Sequence, residues 1–326
     1  MTFLRQIVFL IAALLPGTLL AGTDGTASSK PGLLVMSHGG SDEWNAAVRE
    51  AVSPLRSFCP VEIAFGMAQR DALQGAVSRL ETQGVGRVAV VRLFVSSESF
   101  RHQTEYLLGL RSDPPRLFID HSSHSGVPLT DHDSVNLLPG EMAPRPVHRK
   151  AAIALNTEGL YDSELIGDII AARVQNLSLS PESESVLVLA HGEGDDAINR
   201  RWIFKLNSLA AKIRRLGPFR TVRVETLRED WHDKRSRAEK RIRRFVREGN
   251  RDGGQVIVVP FRVFGFGPYA SVLQDLTYLS DGLALLPHPA VTEWIRRQAG
   301  ICLKDIGASN PFQANSFPGE TDSDSQ

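Results

Sequence analysis

One local pattern occurs twice in this chain. Leu33 to Met36 is a short apolar run that ends in Ser37-His38-Gly39-Gly40. Ser185 to Ala190 is a second run that ends in His191-Gly192-Glu193-Gly194. Each reads as a buried strand entering a tight turn. The two histidines lie 153 positions apart, and the third strands of the two halves, starting at Arg87 and Gln255, lie 168 apart. Repetition at that length indicates duplicated domains rather than a solenoid.

The elements after each turn share one scheme. In the first half, a helix is expected from about Glu43 to Ser57, then a strand at Val61–Phe65. Asp71–Gln83 has apolar residues at Leu73, Val77 and Leu80, the spacing of an amphipathic helix. Arg87–Val95 is a β-branched strand, and helix signals resume from about His102 to Leu110. In the second half, a helix at Asn199–Leu216 precedes a strand at Thr221–Thr226. A basic helix at Ala238–Glu248 precedes a strand at Gln255–Val259. Leu283–Leu286 reads as a last strand, and Val291–Gln298 as a last helix. Alternating strands and helices predict α/β units with doubly wound parallel sheets, whose ligands bind beyond the carboxyl ends of the strands.

The remaining segments look different. Residues 111–149 carry six prolines and four histidines and read as a long loop. Residues 150–178 would complete the first unit, begun at 30–110, and 183–300 would form the second. Residues 303–326 read as a disordered tail. Residues 1–21 read as a secretory signal peptide, with Arg5 before an apolar run interrupted by Pro16, Gly17 and Thr18. That reading implies an exported protein with no stable membrane span after cleavage. Lys+Arg and Asp+Glu both number 37, which argues against a dedicated nucleic-acid binder. A monomer is expected. Cys59 and Cys302 are not in C-x-x-C spacing and read as buried apolar residues, although pairing stays open.

Neutral imidazoles are good ligands for divalent first-row metals. His38 comes after the first strand and His102 after the third. Those strands can be neighbours, so the two side chains can meet at one sheet edge. They are candidates for a metal site with open positions.

The stretch L-V-M-S-H-G-G-S-D-E-W-N at 34–45 resembles the opening motif of the sirohydrochlorin chelatases, the class II enzymes that insert cobalt or iron into a tetrapyrrole. V-E-I-A-F (61–65), the run 84–95 and F-R-H (100–102) keep that family's order. V-L-V-L-A-H-G (186–192), V-I-V-V-P-F (256–261) and L-P-H-P (286–289) repeat it in the second half. The resemblance implies two tandem chelatase-like units and a lyase that takes a divalent metal as substrate (cobalt, with iron or nickel as alternatives). The other substrate would be a tetrapyrrole, and no organic cofactor is needed. By position it implies His38 as catalytic base and metal ligand and His102 as second ligand. Arg92, Arg101 and Arg262 would receive the ring's carboxylates.

Some residues depart from the family pattern. The family's acidic residue after the second strand is missing from Gly66-Met67-Ala68-Gln69. Pro268-Tyr269 stands where the second half would need its counterpart of His102, so His191 reads as structural or a remnant. Gly265 and Gly267 imply a close backbone approach. His288 reads as a turn residue at the rim, and His121 and His124 as loop residues. An export signal also fits poorly with a biosynthetic step expected in the cytoplasm. The alternative is therefore an exported metal- or tetrapyrrole-binding protein without turnover.

Overall fold

A computed structural model describes residues 29–120 and 136–313. The first half contains β1 (Lys30–Ser37), α1 (Asp42–Val52), β2 (Val61–Phe65), α2 (Arg70–Thr82), β3 (Val85–Leu93) and α3 (Arg101–Leu107). It continues with β4 (Leu117–Asp120), β5 (Asn136–Pro139), β6 (Ala152–Leu155) and α4 (Glu164–Leu177). The second half contains β7 (Glu184–Ala190), α5 (Asp196–Arg214), β8 (Thr221–Thr226), α6 (His232–Gly249), β9 (Gln255–Phe261), α7 (Tyr269–Val272) and α8 (Pro289–Asp305).

Two parallel sheets result. The first has the order β2-β1-β3-β6 and the second β8-β7-β9. In both, the strand that ends in His-Gly is flanked by the second and third strands of its half. The likeness extends to a fourth position, because Leu279 makes a parallel bridge to Ile257 of β9 where β6 pairs with β3. A sheet wound outward on both sides of one strand has its switch point at that strand, and His38 and His191 sit there.

Alternation along the strands sorts the core into layers. Leu33 and Val35 face the same core as Val186 and Val188. Leu34 and Met36 face the opposite side, beneath α2. Leu187 and Leu189 face a third core under α6. The shared central core is closed by exchange of the last helix of each half. α4 packs on α5 and β9, whereas α8 packs on β3, β6 and α1. Thr292 of α8 donates to the Ala51 carbonyl at 2.8 Å, and Arg173 of α4 pairs with Asp281 at 3.0 Å. Neither half closes its own core.

Three expectations need revision. The segment 111–149 contains an antiparallel ribbon of β4 and β5, because Phe118 buries its ring in the core beneath α2. Gln103 anchors the ribbon, donating to the Ile119 carbonyl at 2.8 Å and accepting from the Ile119 N–H at 2.9 Å. Leu283–Leu286 forms no regular strand; only the Leu285 and Leu286 N–H groups bond to β9's exit, and Pro287 and Pro289 have no N–H to extend a ladder. The tail expected from 303 is ordered at its start. α8 runs to Asp305, and Phe312 is buried against Phe58 with ring centroids 5.6 Å apart. The expected signal peptide, His121 and His124 lie outside the described residues. Among the described residues, no helix is long and apolar enough to cross a membrane. Cys59 and Cys302 are buried free thiols, each pushed up to about 12 by burial.

Candidate functional site at the facing strand ends

The two His-Gly turns are built alike. In each, the glycine takes a left-handed φ, 76° at Gly39 and 83° at Gly192, where a side chain would be strained. Each glycine also presses against the end of its second strand, Gly39 on Phe65 and Gly192 on Thr226. An asparagine of the next helix pins the turn: Asn45 Oδ1 accepts from the Gly40 N–H at 3.2 Å, and Asn199 Oδ1 from the Glu193 N–H at 3.0 Å. Ser41 caps α1 and Asp195 caps α5. His38 Nδ1 donates to the Gly39 carbonyl at 2.6 Å, and His191 Nδ1 to the Gly192 carbonyl at 2.9 Å. This bond puts the proton on Nδ1 and leaves Nε2 as the working nitrogen of each ring.

The two Nε2 atoms then diverge. Burial lowers the pKa of His38, and the nearby charges of His191 and Arg262 lower it further. His38 is therefore a neutral imidazole with a free lone pair at pH 7. His191 Nε2 instead meets Asp230 Oδ2 at 3.2 Å. Burial alone would lower its pKa, but the bond to Asp230 and the charge of Glu229 raise it to about 9. With both nitrogens donating, His191 is an imidazolium. Environments that split the pKa values of paired groups mark acid–base sites.

Around this pair, the halves meet edge to edge. Trp44 stacks on His38 at 5.4 Å and reaches Phe264 of the second half at 6.1 Å. Trp202 and Trp231 flank His191 at 6.4 and 6.1 Å. Arg201 of α5 pairs with Glu98 at 2.7 Å, and Lys205 with Asp162 at 2.9 Å, both across the seam. Behind His191, Arg262 holds Glu229 at 2.5 Å and lies 5.5 Å over the ring of buried Tyr269. Gly267 allows that placement, since a Cβ there would strike the Arg262 guanidinium.

The residues expected to act are dispersed. His38 is at the seam. His102 is exposed in the first turn of α3. Arg92 is not available to a substrate carboxylate, which corrects the expectation for it. It is 1% exposed, and its guanidinium donates to the carbonyls of Ser97, Ser99 and Asn156. Arg101 is half-exposed and paired with Glu105 at 2.8 Å. Arg262 faces the site but is held by Glu229. His288 caps α8 through Nδ1, which accepts from the Ala290 N–H at 3.1 Å. In the sequence His191 reads only as structural or a remnant, and Glu229 and Asp230 are overlooked there. One signal pointed to them: the acidic residues missing after β2 are present after β8, in Thr226-Leu227-Arg228-Glu229-Asp230. Among the described residues, no group of three or more His, Cys, Asp or Glu side chains converges as a metal cage.

The sequence profile of the family described as CbiX matches residues 32–136. No curated protein matches the chain in sequence. Among solved structures, SirB from Bacillus subtilis with Fe3+ aligns with a TM-score of 0.58 at 14% identity, covering 86% of this chain and 99% of that one. The sirohydrochlorin chelatase SirB from Bacillus subtilis subspecies spizizenii in complex with cobalt aligns at 0.51 and 13% identity, covering 83% and 94%. The fold is chelatase-like. The chelatase-like fold brings the strand ends of both halves to a single seam, and the CbiX match spans β1 to the start of β5.

Proposed function

We propose that the protein is a metal chelatase that inserts a divalent cation, cobalt or iron, into a tetrapyrrole held at the seam. The observation that carries this reading is the pair of inequivalent histidines, one from each half, at facing strand ends. Insertion exchanges a hydrated dication for two pyrrole protons. His38 Nε2, neutral and unprotonated, can ligate the cation or accept one pyrrole proton, and the remaining protons pass to solvent water. At His191, an arriving dication would displace the Nε2 proton, and Asp230 would remain to balance the charge. The exposed His102 is a third imidazole on the same edge of the first sheet and is proposed as an entry ligand. Export is proposed on the pattern at residues 1–21.

The test is a spectrophotometric insertion assay with sirohydrochlorin and Co(II). His38→Ala should lower the rate at least a hundredfold with an unchanged circular dichroism spectrum. His191→Ala should lower it comparably, and His102→Ala by less than tenfold. Normal insertion by His38→Ala would remove the proposal. The absence of an acid at Gly66–Gln69 favours a second reading, stoichiometric binding without turnover. A single equivalent of product that never exceeds the protein concentration would select it.

A further inference from the structure

Helix α6 carries a charge excess that the seam does not use. Its residues hold eight Lys or Arg against three Asp or Glu. The apolar face, Ala238, Ile242, Phe245 and Val246, is buried on the second sheet. On the opposite face, Arg237, Lys240, Arg244 and Arg247 recur at three- and four-residue spacing. That spacing aligns them in one exposed strip about 15 Å long. Among the described residues, none of the four takes part in an ion pair or a side-chain hydrogen bond. Elsewhere helical cations are matched within a turn, as Arg101 is by Glu105 and Arg297 by Glu293. The nearest acids on the same side of α6, Asp233 and Glu248, stand at its two ends. Beside the strip, Arg223 of the edge strand β8 and Arg241 share the single carboxylate of Glu225 at 3.8 and 3.3 Å, which leaves one more positive charge there.

Like charges three and four positions apart repel and weaken a helix. The strip is therefore a cost to the folded chain that a bound anion would offset. The chain is neutral overall, so attraction to a polyanion must come from a local excess of this kind and be oriented by it. Guanidinium groups suit phosphate oxygens, which they can meet with two parallel hydrogen bonds. The one aromatic side chain of α6, Phe245, is buried, so the helix offers no platform on which an unpaired base could stack. With no apolar side chain on its outer face, it is suited to lie on a plane of phosphates without inserting.

We propose that the outer face of α6 is a peripheral docking surface for an anionic lipid bilayer, with phosphate headgroups met by Arg237, Lys240, Arg244 and Arg247. The helix starts near the seam, where Lys234 donates to the Gly194 carbonyl, and ends beside Ser185 and Val256 at the opposite ends of the strands. Docking face and seam are therefore separate surfaces, and binding on one does not require the other to be covered.

Co-sedimentation of the full chain with vesicles of phosphatidylcholine, with and without about one-third phosphatidylglycerol, at low and high salt, tests this. The neutral vesicles report any contribution from the apolar run in residues 1–21. At low salt the anionic vesicles should bind on the order of a hundredfold more tightly, and high salt should erase the difference. Each cation at such a surface is worth about fivefold, so the double variant Lys240→Gln, Arg244→Gln should weaken anionic binding about 25-fold. The double variant Arg116→Gln, Lys304→Gln, which removes exposed cations outside α6, should change it less than about twofold. Equal binding to both vesicles, or full binding by the α6 variant, would overturn the inference. Tighter binding to duplex DNA than to the anionic vesicles at the same salt would also overturn it, in favour of a nucleic-acid partner.

Discussion

At the residue scale, His38 and His191 have the same backbone setting and opposite protonation. The difference lies in the loop after the second strand of each half. Gly66–Gln69, after β2, has no acid, whereas the loop after β8 carries Glu229 and Asp230. His191 has a folded pKa raised to about 9, above its ordinary value near 6.5. Its ion pair therefore adds stability that is complete below pH 6.5 and is lost as pH rises through about 9. Asp230→Asn should bring the His191 titration, monitored by histidine C–H NMR shifts, well below 9. A midpoint that stays near 9 would assign the shift to another group. His38 has a lowered pKa, so the acid limb of insertion should fall below pH 6.5, and an acid limb above that value would exclude His38 as the base. Arg92 belongs to the scaffold. Replacing it by Ala leaves one buried and two part-buried carbonyls without their donor and should cost about 3 kcal/mol in chemical denaturation. Its effect on ring affinity should be small.

At the element scale, α4 and α8 decide whether the halves are separate. Their sequences are ordinary amphipathic helices, and nothing in their periodicity names the sheet they cover. α8 buries Trp294 and Ile295 in the core shared by both sheets. Trp294→Ala should destabilise the protein by about 3–5 kcal/mol, measured by denaturant titration. A smaller loss would mean that the helix packs loosely on the first sheet. The elements themselves were largely legible. Val61–Phe65 and Thr221–Thr226 coincide with β2 and β8, because both runs are bounded by clear turn residues. The ribbon of β4 and β5 was missed because its strands are four residues each in a proline-rich stretch. Short strands have too few alternations to display a period.

At the scale of the whole molecule, the shared core makes the two halves one cooperative unit. Calorimetry should give a single transition with equal calorimetric and van't Hoff enthalpies. Two resolved transitions would show that the halves are independently stable. The exchange of helices also fixes the seam: α8 crosses from the second half to β3, so the strand ends cannot separate without uncovering the central core. A rigid seam between two histidines is what a site that must hold a flat ring and a cation together requires.

The sequence alone determined the two parallel-sheet units, the His-Gly turns at their switch points and the placement of His38. Those features depend on local alternation and on glycine's backbone freedom, which neighbouring residues display. Tertiary structure decided the rest. It paired His38 with His191 instead of leaving His191 alone, buried Arg92 as scaffold, and carried the last helix of each half onto the other. It also set Asp230 and Glu229 against His191. Each of these depends on contacts between residues far apart in the chain. Such contacts form only when two sheets share one core, and no local period encodes which surfaces will meet.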